Sequence, residues 1–146
     1  MKYEIRTSTS SNVGDYAKII SIPKLDPSDI HVNTFNMIFE VYYLDAWSEP
    51  LIEKYSIALK SNDVTFYKFQ QLGNAEYNYN DGVGYVKNGN MYDIYVKSKK
   101  PDAYVYINII GVSERDIAII HDFAEFTSAE PTGITYPLIK KNRLTL

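Results

Sequence analysis

From Thr34 to Leu44 the side chains fall into two sets with a period of two. Phe35, Met37, Phe39, Val41 and Tyr43 share one face, and Thr34, Asn36, Ile38, Glu40 and Tyr42 share the other. Such a period belongs to a β-strand with one face in a core. Leu51–Lys60 repeats it, with Leu51, Glu53, Tyr55, Ile57 and Leu59 opposite Ile52, Lys54, Ser56, Ala58 and Lys60. Leu51, Tyr55 and Leu59 are also four apart, which admits a helix, but the strand is the stronger reading. Further strand patterns run over Tyr16–Ile22, Val64–Gln71, Val83–Lys87, Met91–Lys97, Ala103–Val112 and Asp116–Ile120. Asn88, Gly89 and Asn90 supply a hairpin turn, while Pro23 with the cluster LDPSD ends the first of these runs.

Short strands at regular spacing, without an amphipathic helix, predict an all-β domain: an antiparallel β-sandwich, jelly-roll-like, with an irregular C-terminal tail. Residues 1–13 read as a leading strand or linker, 14–120 as the sandwich, and 121–146 as a tail packed on the domain or on a neighbouring subunit. Pro131, Gly133 and Pro137 oppose a compact element in that tail, yet Phe123, Phe126, Ile134, Tyr136, Leu138, Ile139 and Leu144 are too apolar to hang in water.

Several function classes lose support at once. The 15 basic and 18 acidic residues are mixed along the chain, so no basic field gathers phosphates and nucleic acid is an unfavoured partner. Without cysteine there is neither a disulfide framework nor a thiolate metal site. No apolar run reaches the roughly 20 residues of a membrane-spanning helix, so no membrane insertion is expected. The start MKYEIRTSTSS lacks the apolar core of a signal peptide, which suits release within an assembly or by lysis. His31 and His121 are 90 positions apart and read as strand ends or loop anchors, not as a metal pair. Nucleophile settings such as GxSxG are missing, Asn78, Asn80 and Asp81 with Gly82 do not complete a calcium loop, and the glycines of DGVGYVKNG do not match a phosphate loop. The expectation is a protein without catalytic residues, metal or cofactor.

Tyrosine is the outlier, with fourteen against six Phe and one Trp. Its ring packs and its hydroxyl stays wet, which suits both strands and binding surfaces. Trp47 stands in the turn DAWSEP, and Tyr77, Asn78, Tyr79 and Asp81 lie in EYNYND. Sugars present an apolar ring face to an aromatic plate and hydroxyls to Asn or Asp, so these five are the candidate ligand-binding residues. The competing reading folds Trp47 over the sandwich end and sets Tyr77 and Tyr79 astride a strand edge.

The stretch Asp93–Gly111, DIYVKSKKPDAYVYINIIG, preceded by a polar hairpin and by FEVYYLD, resembles the closing pattern of C-terminal domains in bacteriophage tail fibre and receptor-binding proteins. The matching residues are Ile94–Lys97, Tyr104 and the INI run, and the resemblance spans about residues 34–112. It implies a β-rich homotrimer at a fibre tip in the virion, bound to other virion tail proteins and to a host-surface glycan or teichoic acid. Two other readings stand beside it: a trimerisation or maturation chaperone domain of a phage appendage, and a bacterial carbohydrate-binding module. In all of them Tyr95, Tyr104 and Tyr106 are expected to serve packing before recognition, with specificity in the flanking loops.

Overall fold

The computed structural model describes residues 3–10, 12–23, 34–44, 51–60, 63–72, 82–113 and 118–139. Ten strands carry these residues: β1 (Tyr3–Arg6), β2 (Tyr16–Pro23), β3 (Thr34–Leu44), β4 (Leu51–Lys60), β5 (Asp63–Leu72), β6 (Val83–Asn88), β7 (Met91–Lys97), β8 (Tyr104–Val112), β9 (Ile119–Ile120) and β10 (Leu138–Ile139). They form a six-stranded sheet in the order β1-β8-β3-β4-β5-β10 and a four-stranded sheet in the order β6-β7-β2-β9. The pairing is antiparallel except where β10 joins β5. The protein is an all-β sandwich.

The connections explain its shape. β1 pairs with β8 in one sheet and β2 with β7 in the other, the nested pairing of a jelly roll. Inside that nest the path departs from a jelly roll, because β3, β4 and β5 stay together as a meander. The β6–β7 hairpin closes with Asn88 opposite Met91, leaving Gly89 and Asn90 as a two-residue turn. Gly89 takes φ +59° at the first central position, the place where a type II′ turn requires glycine.

The alternation of the strands decides what lies between the sheets. In β3 the inward set Phe35, Met37, Phe39, Val41 and Tyr43 is fully buried, and in β4 burial alternates residue by residue, as a strand requires and a helix does not. Aromatic rings form a continuous path through the interior: Phe39 to Tyr55 at 5.4 Å, Tyr55 to Phe66 at 5.8 Å, Phe66 to Tyr85 at 6.0 Å, and Tyr85 to Tyr92 at 6.2 Å. The step from Phe66 to Tyr85 crosses between the sheets, so ring packing of about 0.5–1.5 kcal/mol per pair ties one layer to the other. A bulge in β2 between Lys18 and Ile20 buries Ile19 and Ile20 in succession.

One expectation is corrected here. In β8 the buried set is Val105, Ile107 and Ile109, so Tyr104 and Tyr106 point outward, and Tyr104 is 58% exposed. In β7 the buried Tyr92, Ile94 and Val96 likewise turn Tyr95 out of the core. Strand parity, which is set by the aliphatic residues, overrides the packing value of these tyrosines.

Residues 121–139 form a strap. Ala124 bridges Thr7, Thr127 bridges Tyr16, Thr135 bridges Tyr85, and β10 lies parallel to β5 at Tyr67 and Lys68. The strap thereby meets both sheets and covers the otherwise open sides of β5 and β6, the usual protection of an edge strand. At Gly84 a Cβ atom would stand 2.6 Å from the Ile134 side chain and 3.1 Å from the Thr135 carbonyl oxygen, so the strap lies on bare backbone. Its apolar residues are divided: Phe126 packs against the core, whereas Phe123 and Leu138 are 66% and 65% exposed.

Candidate functional site

Tyr43 pairs with Leu51, Ile52 with Leu72, and Tyr104 with Leu44. The ends of β3 and β5 and the start of β4 therefore stand side by side at one end of the sandwich. Gly82 joins this end to the other sheet, since its carbonyl oxygen accepts from the Lys97 backbone N–H at 2.8 Å and from the Tyr43 hydroxyl at 3.2 Å. Segments 45–50 and 73–81 are bounded by these strand ends. The five candidate residues Trp47, Tyr77, Asn78, Tyr79 and Asp81 belong to those segments and lie outside the described residues, as does His31.

Beneath this end is a buried ionic cluster. Glu53 continues the inward set of β4 and is 0% exposed. Its Oε2 accepts from Lys99 Nζ at 3.1 Å and is also paired with Lys68 Nζ, which in turn donates to Gln71 Oε1. Lys99 Nζ lies 5.8 Å from the centre of the Tyr43 ring, within cation–π range. Glu53 Oε1 has no hydrogen-bond partner among the described residues. A Cβ on Gly82 would stand 2.6 Å from that oxygen, 2.7 Å from the Tyr43 hydroxyl and 2.8 Å from Lys99 Cε, so the cluster closes only against a glycine. Burying such charges costs several kcal/mol per ion before their attraction is counted. What the cluster does chemically is fix geometry: it ties β4, β5 and the segment after β7 that carries Lys99 together beneath the strand ends.

A second polar group sits on the outer side of the four-stranded sheet. Ser21 Oγ donates to Asp93 Oδ1 at 2.7 Å and contacts His121 Nε2 at 2.9 Å, while Asn88 Nδ2 donates to Asp93 Oδ2 at 3.3 Å. The residue types are those of a hydrolase triad, but the order is wrong. A triad places the imidazole between carboxylate and hydroxyl so that it can take the hydroxyl proton. Here the buried serine is the middle member and gives its proton to Asp93, so its oxygen accepts from His121. Desolvation and the nearby Lys18 lower the His121 pKa, with Asp93 opposing them. The Tyr16 and Tyr136 hydroxyls meet at 2.7 Å and Tyr136 also donates to Glu130 at 3.0 Å; burial raises the Tyr136 pKa.

Among the described residues no group of three or more His, Asp or Glu side chains is arranged to hold a metal ion. A cleft of about 280 Å³ opens beside the strap, lined by Val64, Tyr85, Lys87, Tyr92, Gly133 and Thr135. Sequence reasoning did not find the Glu53 cluster or the Ser21 group. A carboxylate on the apolar face of β4 was the one available signal.

No family model matches the chain, and no curated protein does. Among solved structures it is similar to the crystal structure of the Acinetobacter phage vB_ApiP_P1 tailspike protein, at 7% identity and a TM-score of 0.42. That match covers 86% of this chain and 22% of the tailspike chain. A TM-score below 0.5 does not establish a shared fold.

Proposed function

We propose that the chain is a non-catalytic module of a phage tail fibre or baseplate that binds a glycan or teichoic acid on the host surface and takes part in fibre assembly in the virion. The observation that carries the binding part is the side-by-side placing of the strand ends that bound 45–50 and 73–81, over the Glu53 cluster that fixes them. Rigidly rooted loops rich in aromatic and amide residues are the usual way a β-scaffold presents a ligand site. The resemblance over Asp93–Gly111 supports the appendage setting. Exposed Phe123, Leu138 and Ile139 on the strap support a homotrimer, in which symmetry gives each patch a partner surface.

Two measurements test this. Light scattering coupled to size exclusion is expected to give a trimer, and a monomer at micromolar concentration removes the assembly claim. On a glycan array, replacing Trp47, Tyr77 and Tyr79 by Ala is expected to abolish binding seen with the unaltered protein; undiminished binding removes the site.

A further inference from the structure

The outer face of the six-stranded sheet carries a second aromatic surface. Strand register sets Arg6, Tyr106, Tyr42, Ile52 and Leu72 directly opposite one another across β1, β8, β3, β4 and β5. The Tyr42 and Tyr106 rings meet edge to face with centroids 6.2 Å apart. Leu72 is 53% exposed. The adjoining row is polar: Glu4, Asn108, Glu40, Lys54 and Gln70 lie opposite one another in the same five strands. The two rows adjoin electrostatically, because the Glu4 carboxylate beside Tyr106, and burial together with the Glu40 carboxylate beside Tyr42, push these phenol pKa values up. Glu40 is further held by Asn108 Nδ2 at 3.2 Å and Lys54 Nζ at 3.7 Å.

We propose that this face is a glycan-binding platform for a neutral oligosaccharide, continuous with the loop end and distinct from Trp47 and EYNYND. It rests on the glycan-binding reading above. A pyranose has an apolar C–H face that matches tyrosine rings and a rim of hydroxyls that donate to carboxylates, and the two rows offer both side by side. From β8 to β5 the row Tyr106, Tyr42, Ile52 and Leu72 spans three strand spacings, about 14 Å, the reach of about three linked sugar rings, with the two tyrosine rings at one end and aliphatic side chains at the other. Leu44 and Leu72 are the last residues of β3 and β5, so a chain lying on the row runs toward segments 45–50 and 73–81. Glu4 and Glu40 are balanced by Arg6 and Lys54, so the two rows carry no net charge and offer a uronate or phosphate no excess of cations. A second protein copy on this face has to desolvate Glu4, Glu40 and Lys54 in the adjoining row, a cost that an oligosaccharide hydroxyl offsets.

The test uses the whole protein and a printed set of bacterial surface oligosaccharides, both neutral and uronate-bearing. The unaltered protein is expected to bind a neutral member, and the Tyr42→Ala/Tyr106→Ala variant to bind it about tenfold more weakly. Because that variant could lose its fold, the same oligosaccharide is also titrated into unaltered labelled protein, where the Tyr42 and Tyr106 ring resonances are expected to shift. Binding with unmoved ring resonances, or with full affinity in a folded double variant, overturns the platform and leaves the loop site standing. Equal affinity for the uronate members overturns the charge argument. If no oligosaccharide binds at all, the glycan reading falls and the platform with it.

Discussion

The two outer faces of the sandwich have opposite fates. The face of the four-stranded sheet is crossed by the chain's own strap, which brings His121 to Ser21, Thr127 and Tyr136 to Tyr16, and Thr135 to Tyr85. On the six-stranded sheet the outer face leaves Ile38, Tyr104 and Ile110 exposed, and the Tyr42–Tyr106 pair half-buried among them. Both faces are rich in tyrosine, so composition does not separate them. The difference lies in their neighbours: the Tyr16 and Tyr136 hydroxyls meet each other within the chain at 2.7 Å, whereas Tyr42 and Tyr106 stand beside the carboxylates of Glu40 and Glu4. The first face is tied down by the chain's own strap, and the second is the one on which the proposed glycan platform rests.

The sharpest way to break this contrast is to lift the strap. Gly84→Ala places a methyl group 2.6 Å from Ile134 and 3.1 Å from a backbone oxygen that cannot move alone. A loss of about 1–3 kcal/mol in chemical denaturation is expected, together with faster proteolytic cleavage within residues 125–139. A fully stable, protease-resistant variant means that the strap is not seated on β6. A smaller effect is expected from Tyr16→Phe, which keeps the buried ring and removes its bond to Tyr136; about 1 kcal/mol should be lost. A double-mutant cycle with Tyr136→Phe assigns that loss to the pair, and additive single effects remove the assignment.

Acid should loosen the strapped face and not the bare one. The folded pKa of His121 is lowered by desolvation and Lys18, so the unfolded chain takes up the proton first. The stability linked to His121 is therefore present above the unfolded value of about 6.5 and is lost as pH falls through the lower folded pKa. Denaturation midpoints followed between pH 7.5 and 5 should decline, and His121→Gln should flatten the part of the decline that belongs to this residue. An unchanged profile in the variant removes the coupling.

What the sequence showed of this arrangement follows from the range of the forces involved. Alternation is local, and it marked Thr34–Leu44, Leu51–Lys60 and Met91–Lys97 with the ends the strands have. For the pattern Asp116–Ile120 the described strand is only Ile119–Ile120, with 114–117 outside the described residues. Alternation also put Glu53 on the core side of β4. It could not name Lys68 or Lys99 as partners, because that cluster joins residues 15 and 46 positions from Glu53 and depends on strand order. The course of the strap was illegible for the same reason: its bonds to Arg6, Ser8, Tyr16 and Tyr85 are long-range and mostly through backbone, and backbone groups leave no mark in side-chain composition. The outward tyrosines of β7 and β8 were misassigned since tyrosine fits either side of a strand, and only the neighbouring aliphatic residues fix the parity.

The least disturbing change on the bare face is Lys54→Ala, and it sharpens the comparison by how little it should do. Lys54 reaches Glu40 at 3.7 Å from a side chain that is 30% exposed, and Asn108 continues to hold the same carboxylate when the lysine is gone. Water screens such a pair, and its side chains give up rotamer freedom to form it, so a change of no more than about 0.5 kcal/mol is expected. The same pairing of lysine with glutamate at Glu53 is enclosed between the sheets, where neither screening nor solvent replaces a lost partner. A loss above about 1 kcal/mol for Lys54→Ala in urea titration would mean that the outer row is part of the fold's own support, and the division between a strapped face and a free one would not hold.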